Sequence, residues 1–72
     1  MKEISIGRDQ ISDLVAMNSL QVPDLVAGLR ETVQHGGVIK EIQEYSDQPS
    51  ETIEIISTTQ RLEEWLLERR LI

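Results

Sequence analysis

The stretch VPDLVAGLRETVQHGGVIKEIQEY, residues 22–45, changes its hydrophobic period in mid-course, and that change decides the fold. In its first half Val22, Leu25, Val26, Leu29 and Val33 fall on one stripe of a helix with about 3.6 residues per turn. Pro23 suits the first helical position, where a missing N–H costs nothing. Asp24 in the first turn complements the helix dipole, His35 lies in the last turn, and Gly36 with Gly37 supplies a stop. From Val38 the period falls to 2, and Val38–Tyr45 is rich in β-branched and aromatic residues.

Downstream, the turn-formers Ser46-Asp47-Gln48-Pro49-Ser50 join this strand to a second one, Thr52–Ile56, as a β-hairpin. Ile53 and Ile55 share a face, whereas the adjacent Val38 and Ile39 point oppositely. A final helix opens on the capping-box spacing Ser57-x-x-Gln60, with Thr58 and Thr59 as competing caps. Its inner stripe is Leu62, Trp65 and Leu66 with the aliphatic stem of Arg69. Upstream, Glu3-Ile4-Ser5-Ile6 alternates as a short strand, ended by Gly7. Asp9 then caps a helix from Gln10, with Ile11, Leu14 and Val15 on one side and an end near Asn18–Ser19. The expected fold is a single α+β domain over residues 1–72, in the order β-α-α-β-β-α, with three helices and a hairpin. Its expected core is Ile6, Leu14, Val26, Leu29, Ile53, Ile55, Leu62, Trp65 and Leu66.

A chain of 72 residues without cysteine has a thin core and no disulfide to staple it. Stability then rests on helix caps, on packing, or on self-association. A symmetric homodimer is expected, paired along an open strand edge, either Glu3–Ile6 or Val38–Tyr45. The charged beginning MKEISIGRDQ does not read as a secretory leader, and no apolar run is long enough for a membrane span. With no cysteine, these features point to the cytoplasm.

The residue types needed for chemistry are sparse. One histidine, His35, and no cysteine give no metal-ligand set, and no serine lies in a G-x-S-x-G context. The carboxylate pairs Asp9–Asp13 and Glu64–Glu68 lie opposite the apolar stripes, on solvated helix faces. Gly36-Gly37 follows a helix instead of preceding one, so it is no phosphate loop. Residues 47–51 are too few in ligands for a calcium loop. The reading is therefore a non-enzyme with no cofactor and no metal. Gly28, in mid-helix, either admits a close backbone or is a tolerated surface glycine.

In element order the chain resembles winged-helix domains of the excisionase and MerR-like type. Leu62-Glu63-Glu64-Trp65-Leu66 is similar to their closing helix, and Leu20-Gln21-Val22-Pro23 occupies the place of their turn. That resemblance implies a DNA-binding transcriptional regulator with residues 23–35 as recognition helix and residues 38–57 as wing. Charge argues against it. Residues 23–35 hold one permanent cation, Arg30, and residues 38–57 set Lys40 against five acids, a balance of −4.

Over the whole chain 7 basic residues face 13 acidic ones, a net charge of −6. Such a field disfavours nucleic acid and anionic membrane and attracts a basic protein surface. The leading expectation is a small acidic protein-interaction domain: an inhibitor, adaptor or antitoxin-like regulator. Its partner-binding candidates are Glu44, Asp47 and Glu51, which gather near the hairpin turn whatever the strand register.

Overall fold

A computed structural model describes residues 2–72. Six elements follow in order: β1 (Glu3–Gly7), α1 (Arg8–Ala16), α2 (Val22–Gln34), β2 (Val38–Gln43), β3 (Glu51–Ile56) and α3 (Thr59–Glu68). This is the expected β-α-α-β-β-α order. The strands form one sheet ordered β1-β2-β3. β1 runs parallel to β2, which requires a long crossover, and α1 with α2 provides it. β2 and β3 pair antiparallel as the hairpin. The central strand is therefore β2, so Val38–Tyr45 is not an edge. The free edges are β1 and β3.

Helix ends follow local chemistry with two corrections. α1 begins directly after Gly7, without a side-chain cap, and Asp9 lies inside its first turn. The strand simply continues into the helix, which leaves Asp9 no capping position. The carboxylate instead accepts a hydrogen bond from Gln43 Nε2 at 3.2 Å. α1 ends where Asn18 takes a left-handed conformation (φ 51°), and Ser19 N donates to Leu14 O at 3.1 Å. α3 is capped by Thr58, whose Oγ1 accepts from Arg61 N at 3.2 Å, so the Ser57 box is not the one used.

The α2–β2 junction needs both of its glycines. Gly36 has φ +83°, and a side chain on Gly37 would lie 2.7 Å from the Lys2 carbonyl oxygen. That close approach lets Val38 N donate to Lys2 O at 2.9 Å, the first rung between β2 and β1. Gly28 is the opposite case. A Cβ there meets nothing within 4 Å, so it is a tolerated surface glycine.

Eleven apolar residues form the core, among them Ile6, Ile39 and Ile56 from the sheet and Leu29, Leu62, Trp65 and Leu66 from the helices. All three helices pack on the sheet face that carries those isoleucines. The other face, with Lys40, Ile42 and Ile55, carries no helix. Three expected core residues lie elsewhere: Leu14 is half-buried, and Ile53 and Ile55 are 38% and 59% exposed. The register explains the isoleucines. Ile56 stands opposite Ile39 and Glu54 opposite Glu41, so even-numbered β3 residues face inward, and a bulge at Ile53 follows.

Two glycine substitutions should diverge. Gly28→Ala should raise stability by about 1 kcal/mol, the usual difference between these residues in a helix interior. Gly37→Ala should destabilise the fold, because backbone atoms would have to move. Urea unfolding followed by fluorescence of the fully buried Trp65 measures both.

Candidate functional site

Which charges are free depends on which the fold already engages. Glu41 is completely buried in the centre of the sheet. Arg69 grips it through Nε at 2.7 Å and Nη2 at 2.8 Å, a bidentate pair. The Arg69 guanidinium also lies over the Trp65 ring, 6.0 Å from its centroid. Burial pushes the Glu41 carboxyl up, but the Arg69 hydrogen bonds, the Trp65 indole N–H and the charges of Arg69 and Arg8 together bring it below its ordinary value. Trp65 Nε1 has no partner at ordinary hydrogen-bond geometry, so its effect on Glu41 is that of a nearby dipole.

Its cross-strand neighbour Glu54 is held by Arg61, through Nε at 2.5 Å and Nη2 at 2.8 Å. Arg61 also reaches Glu68 with both terminal nitrogens, each at 3.1 Å, and lies 3.6 Å from Glu64. Arg61 hydrogen bonds lower the Glu54 carboxyl, and Arg30, bonded to Glu63 at 2.8 and 2.9 Å, does the same there. Five acids and three arginines are thus engaged among the described residues. Of the five hairpin acids, Glu41 and Glu54 are neutralised internally. Glu44, Asp47 and Glu51 keep their charge for the surface.

Those three do not form one cluster with a shared cavity. Glu44 lines a cleft of about 330 Å³ between α1 and the end of β2, together with Asp9, Asp13, Leu14 and Met17. The parallel register creates it: Gly7 pairs opposite Ile42, so the first turn of α1 stands beside Glu44. A side chain on Gly7 would come within 2.9 Å of Glu44 Oε1, so glycine keeps the cleft wall thin. Asp47 and Glu51 do not line this cleft. Asp47 is exposed in the turn, and Glu51 opens β3, where it accepts from Tyr45 OH at 3.2 Å. That bond, with burial and the Glu51 charge, raises the Tyr45 hydroxyl above its ordinary value.

The apolar part of the cleft continues past the α1–α2 turn. Leu14 also lines a second groove of about 360 Å³, with Leu20, Val22, Pro23 and Leu71. Met17 and Leu20 are 76% and 94% exposed, the two most exposed large apolar side chains among the described residues. The Met17 end of this apolar ridge therefore borders three unpaired carboxylates. Asp9 and Asp13 read in the sequence as ordinary solvated helix surface, and solvated they are. Only the tertiary position of α1 brings them to Glu44 and to an exposed methionine.

No helix is long and apolar enough to cross a membrane among the described residues. Comparison of the chain with known protein families, with curated proteins and with solved structures finds no match.

The engaged carboxylates set an acid limit. Glu41, Glu54 and Glu63 all lie below the ordinary carboxyl value of 4.5 when folded, so each binds its proton less readily than in the unfolded chain. Their contribution is complete above that value and is lost as the pH falls below it. Urea unfolding should show stability dropping through the acid range, with a shallower drop in Glu41→Gln. Glu41→Ala, which leaves Arg69 without its partner, should cost about 3–5 kcal/mol at neutral pH. Removal of the half-exposed Glu63 should cost much less.

Proposed function

We propose that the chain is a small acidic protein-interaction domain, an inhibitor, adaptor or antitoxin-like regulator, that receives a basic protein surface beside α1. One observation carries this reading: exposed Met17 lines one cleft with the unpaired carboxylates Asp9, Asp13 and Glu44, and Leu14 joins that cleft to the groove of the exposed Leu20. An apolar centre with a charged rim is the usual anatomy of a protein contact. The acids would steer a basic partner in, and the apolar ridge would hold it. Glu44 belongs both to the cleft and to the hairpin-tip trio with Asp47 and Glu51, so the docking surface extends from the cleft to the hairpin turn. No catalytic step is part of this reading. The lack of cysteine fits a reducing compartment such as the cytoplasm.

A winged-helix-like DNA-binding role has less support. Arg30 on α2 is tied to Glu63, Lys40 lies on the uncovered sheet face, and Arg8 faces the end of α3. Arg8, Arg30 and Lys40 thus lie apart and do not line one nucleic-acid surface.

The test uses the immobilised chain and a Met17→Ser/Leu20→Ser variant, each exposed to host lysate. A protein retained by the first and lost by the second is the expected partner. With that protein purified, Asp9→Lys/Asp13→Lys/Glu44→Lys should slow association about tenfold or more at low salt, with little change in the salt-saturated rate. An equal association rate at low salt would remove the cleft as docking site. If Asp47→Lys/Glu51→Lys slows association instead, the turn alone is the contact.

A second reading, self-association, is favoured by Ile53 and Ile55 on the uncovered sheet face and by the free edge of β3. The wild type should sediment as a dimer at high micromolar concentration, and Ile55→Lys should return it to the 8.2 kDa monomer. A wild type that stays monomeric there would exclude this contact.

A further inference from the structure

The chain carries a net charge of −6, yet three of its seven basic residues, Arg8, Arg69 and Arg70, line one groove. It lies between α1 and the C-terminal end of α3 and holds about 390 Å³. It shares no residue with the acidic cleft on the other flank of α1. Arg8 and Arg70 form no ion pair among the described residues. Arg69 is fixed by Glu41 through Nε and Nη2, which leaves its Nη1 donors free. Glu68 is the one acid on the groove wall, and both of its oxygens already accept from Arg61. Ser12, exposed and one turn beyond Arg8, adds a hydroxyl.

The backbone gives an independent sign. Arg70 has φ 60°, the left-handed conformation that normally selects glycine or asparagine after a helix. Around it the helix end closes regularly, with Leu71 N donating to Leu66 O at 2.9 Å. Arginine at this position is conformationally costly, and a cost of that kind marks positions where the side chain has a use.

We propose that this groove binds a phosphate group, either free phosphate or the monoester of a small molecule. Two unpaired guanidiniums and the spare donors of a third match a tetrahedral dianion, whereas a single carboxylate would occupy only one fork. The apolar wall of Ile11, Val15 and Ala16 meets the carbon part of an ester. Duplex nucleic acid does not fit, because it requires a row of phosphate contacts and would meet the field of an acidic protein.

The experiment is a titration of the 15N-labelled chain with inorganic phosphate, with glycerol 3-phosphate and with acetate, at physiological chloride. Saturable shifts at Arg8, Ser12 and Arg70, arginine side-chain signals included, are expected with both phosphates. Tighter binding of glycerol 3-phosphate identifies an ester as the ligand, and equal or weaker binding identifies free phosphate. Arg8→Gln and Arg70→Gly should each weaken phosphate about tenfold or more, the usual effect of losing charge-assisted hydrogen bonds. Arg70→Gly should also melt no lower than wild type, because glycine suits that backbone, so its loss of binding cannot be a loss of fold. Lys40→Gln, on the uncovered sheet face, should bind as wild type does. Shifts that do not saturate, acetate binding as tightly as phosphate, or unchanged affinity in both arginine variants would each overturn the proposal.

Discussion

Glu41 and Glu54 stand opposite each other on adjacent strands, both turned toward the helices. Two like charges directly across an antiparallel pair repel, and Glu41 has lost all contact with water. The arrangement holds only because α3 lays Arg69 and Arg61 over them, two turns apart, each in a two-point grip. That constraint fixes much else. It sets the rotation and position of α3 on the sheet, and it seats Trp65 under Arg69. It also selects the inward face of β3, and so sends Ile53 and Ile55 outward. Replacing such a pair by apolar side chains can leave a protein as stable or more so, whereas removing one partner is severe. What the pairs contribute here is therefore uniqueness of register more than net stability: a one-residue slip of β3 would turn Glu54 outward and put an isoleucine against Arg61.

Sequence reading succeeds in this chain where the decisive information is local. α2 states its own boundaries through Pro23, Asp24, an unbroken apolar stripe and the two glycines, and the structure agrees almost residue for residue. The element order follows from the change of period alone. β3 fails the same treatment. Its pattern Thr52-Ile53-Glu54-Ile55-Ile56 offers two isoleucines on one face and one on the other, so counting apolar residues picks the wrong face. The correct choice depends on arginines at positions 61 and 69 and on a carboxylate at 41, which alternation cannot weigh. A glutamate at a core position of β2 also hides the facing of that strand.

The candidate cleft was legible only in fragments. Glu44 stands out by charge, and Asp9 with Asp13 is visible as a helical pair. Their meeting depends on β1 pairing parallel to β2, so that Gly7 comes level with Ile42. A strand pairing across thirty-odd residues of crossover leaves no mark in local periodicity. The exposed ridge had a fainter signal. Met17 and Leu20 lie on either side of Asn18, the left-handed residue that closes α1, outside the apolar stripe Ile11, Leu14 and Val15 that the helix turns inward.

α1 is the element on which these features converge, and its packing explains why. One of its residues, Ile11, is fully buried, against four in α2 and three in α3. The core is thus secured by α2, α3 and the sheet, with α1 resting on it along a narrow line. Both flanks of α1 remain available, Asp9 and Asp13 toward one cleft and Arg8 and Ser12 toward the opposite groove. Opposite charges on two sides of one helix do not neutralise each other when each side faces solvent, because at physiological salt the dissolved ions screen them within a Debye length of about 8–10 Å. A helix with so little core to maintain can vary its surface residues with small effects on stability. That separation allows charge on the Asp9–Asp13 flank of α1 to be altered without disturbing the Glu41–Arg69 pair that holds the rest of the fold in register, whereas Arg8 on the other flank still acts on Glu41 through its charge.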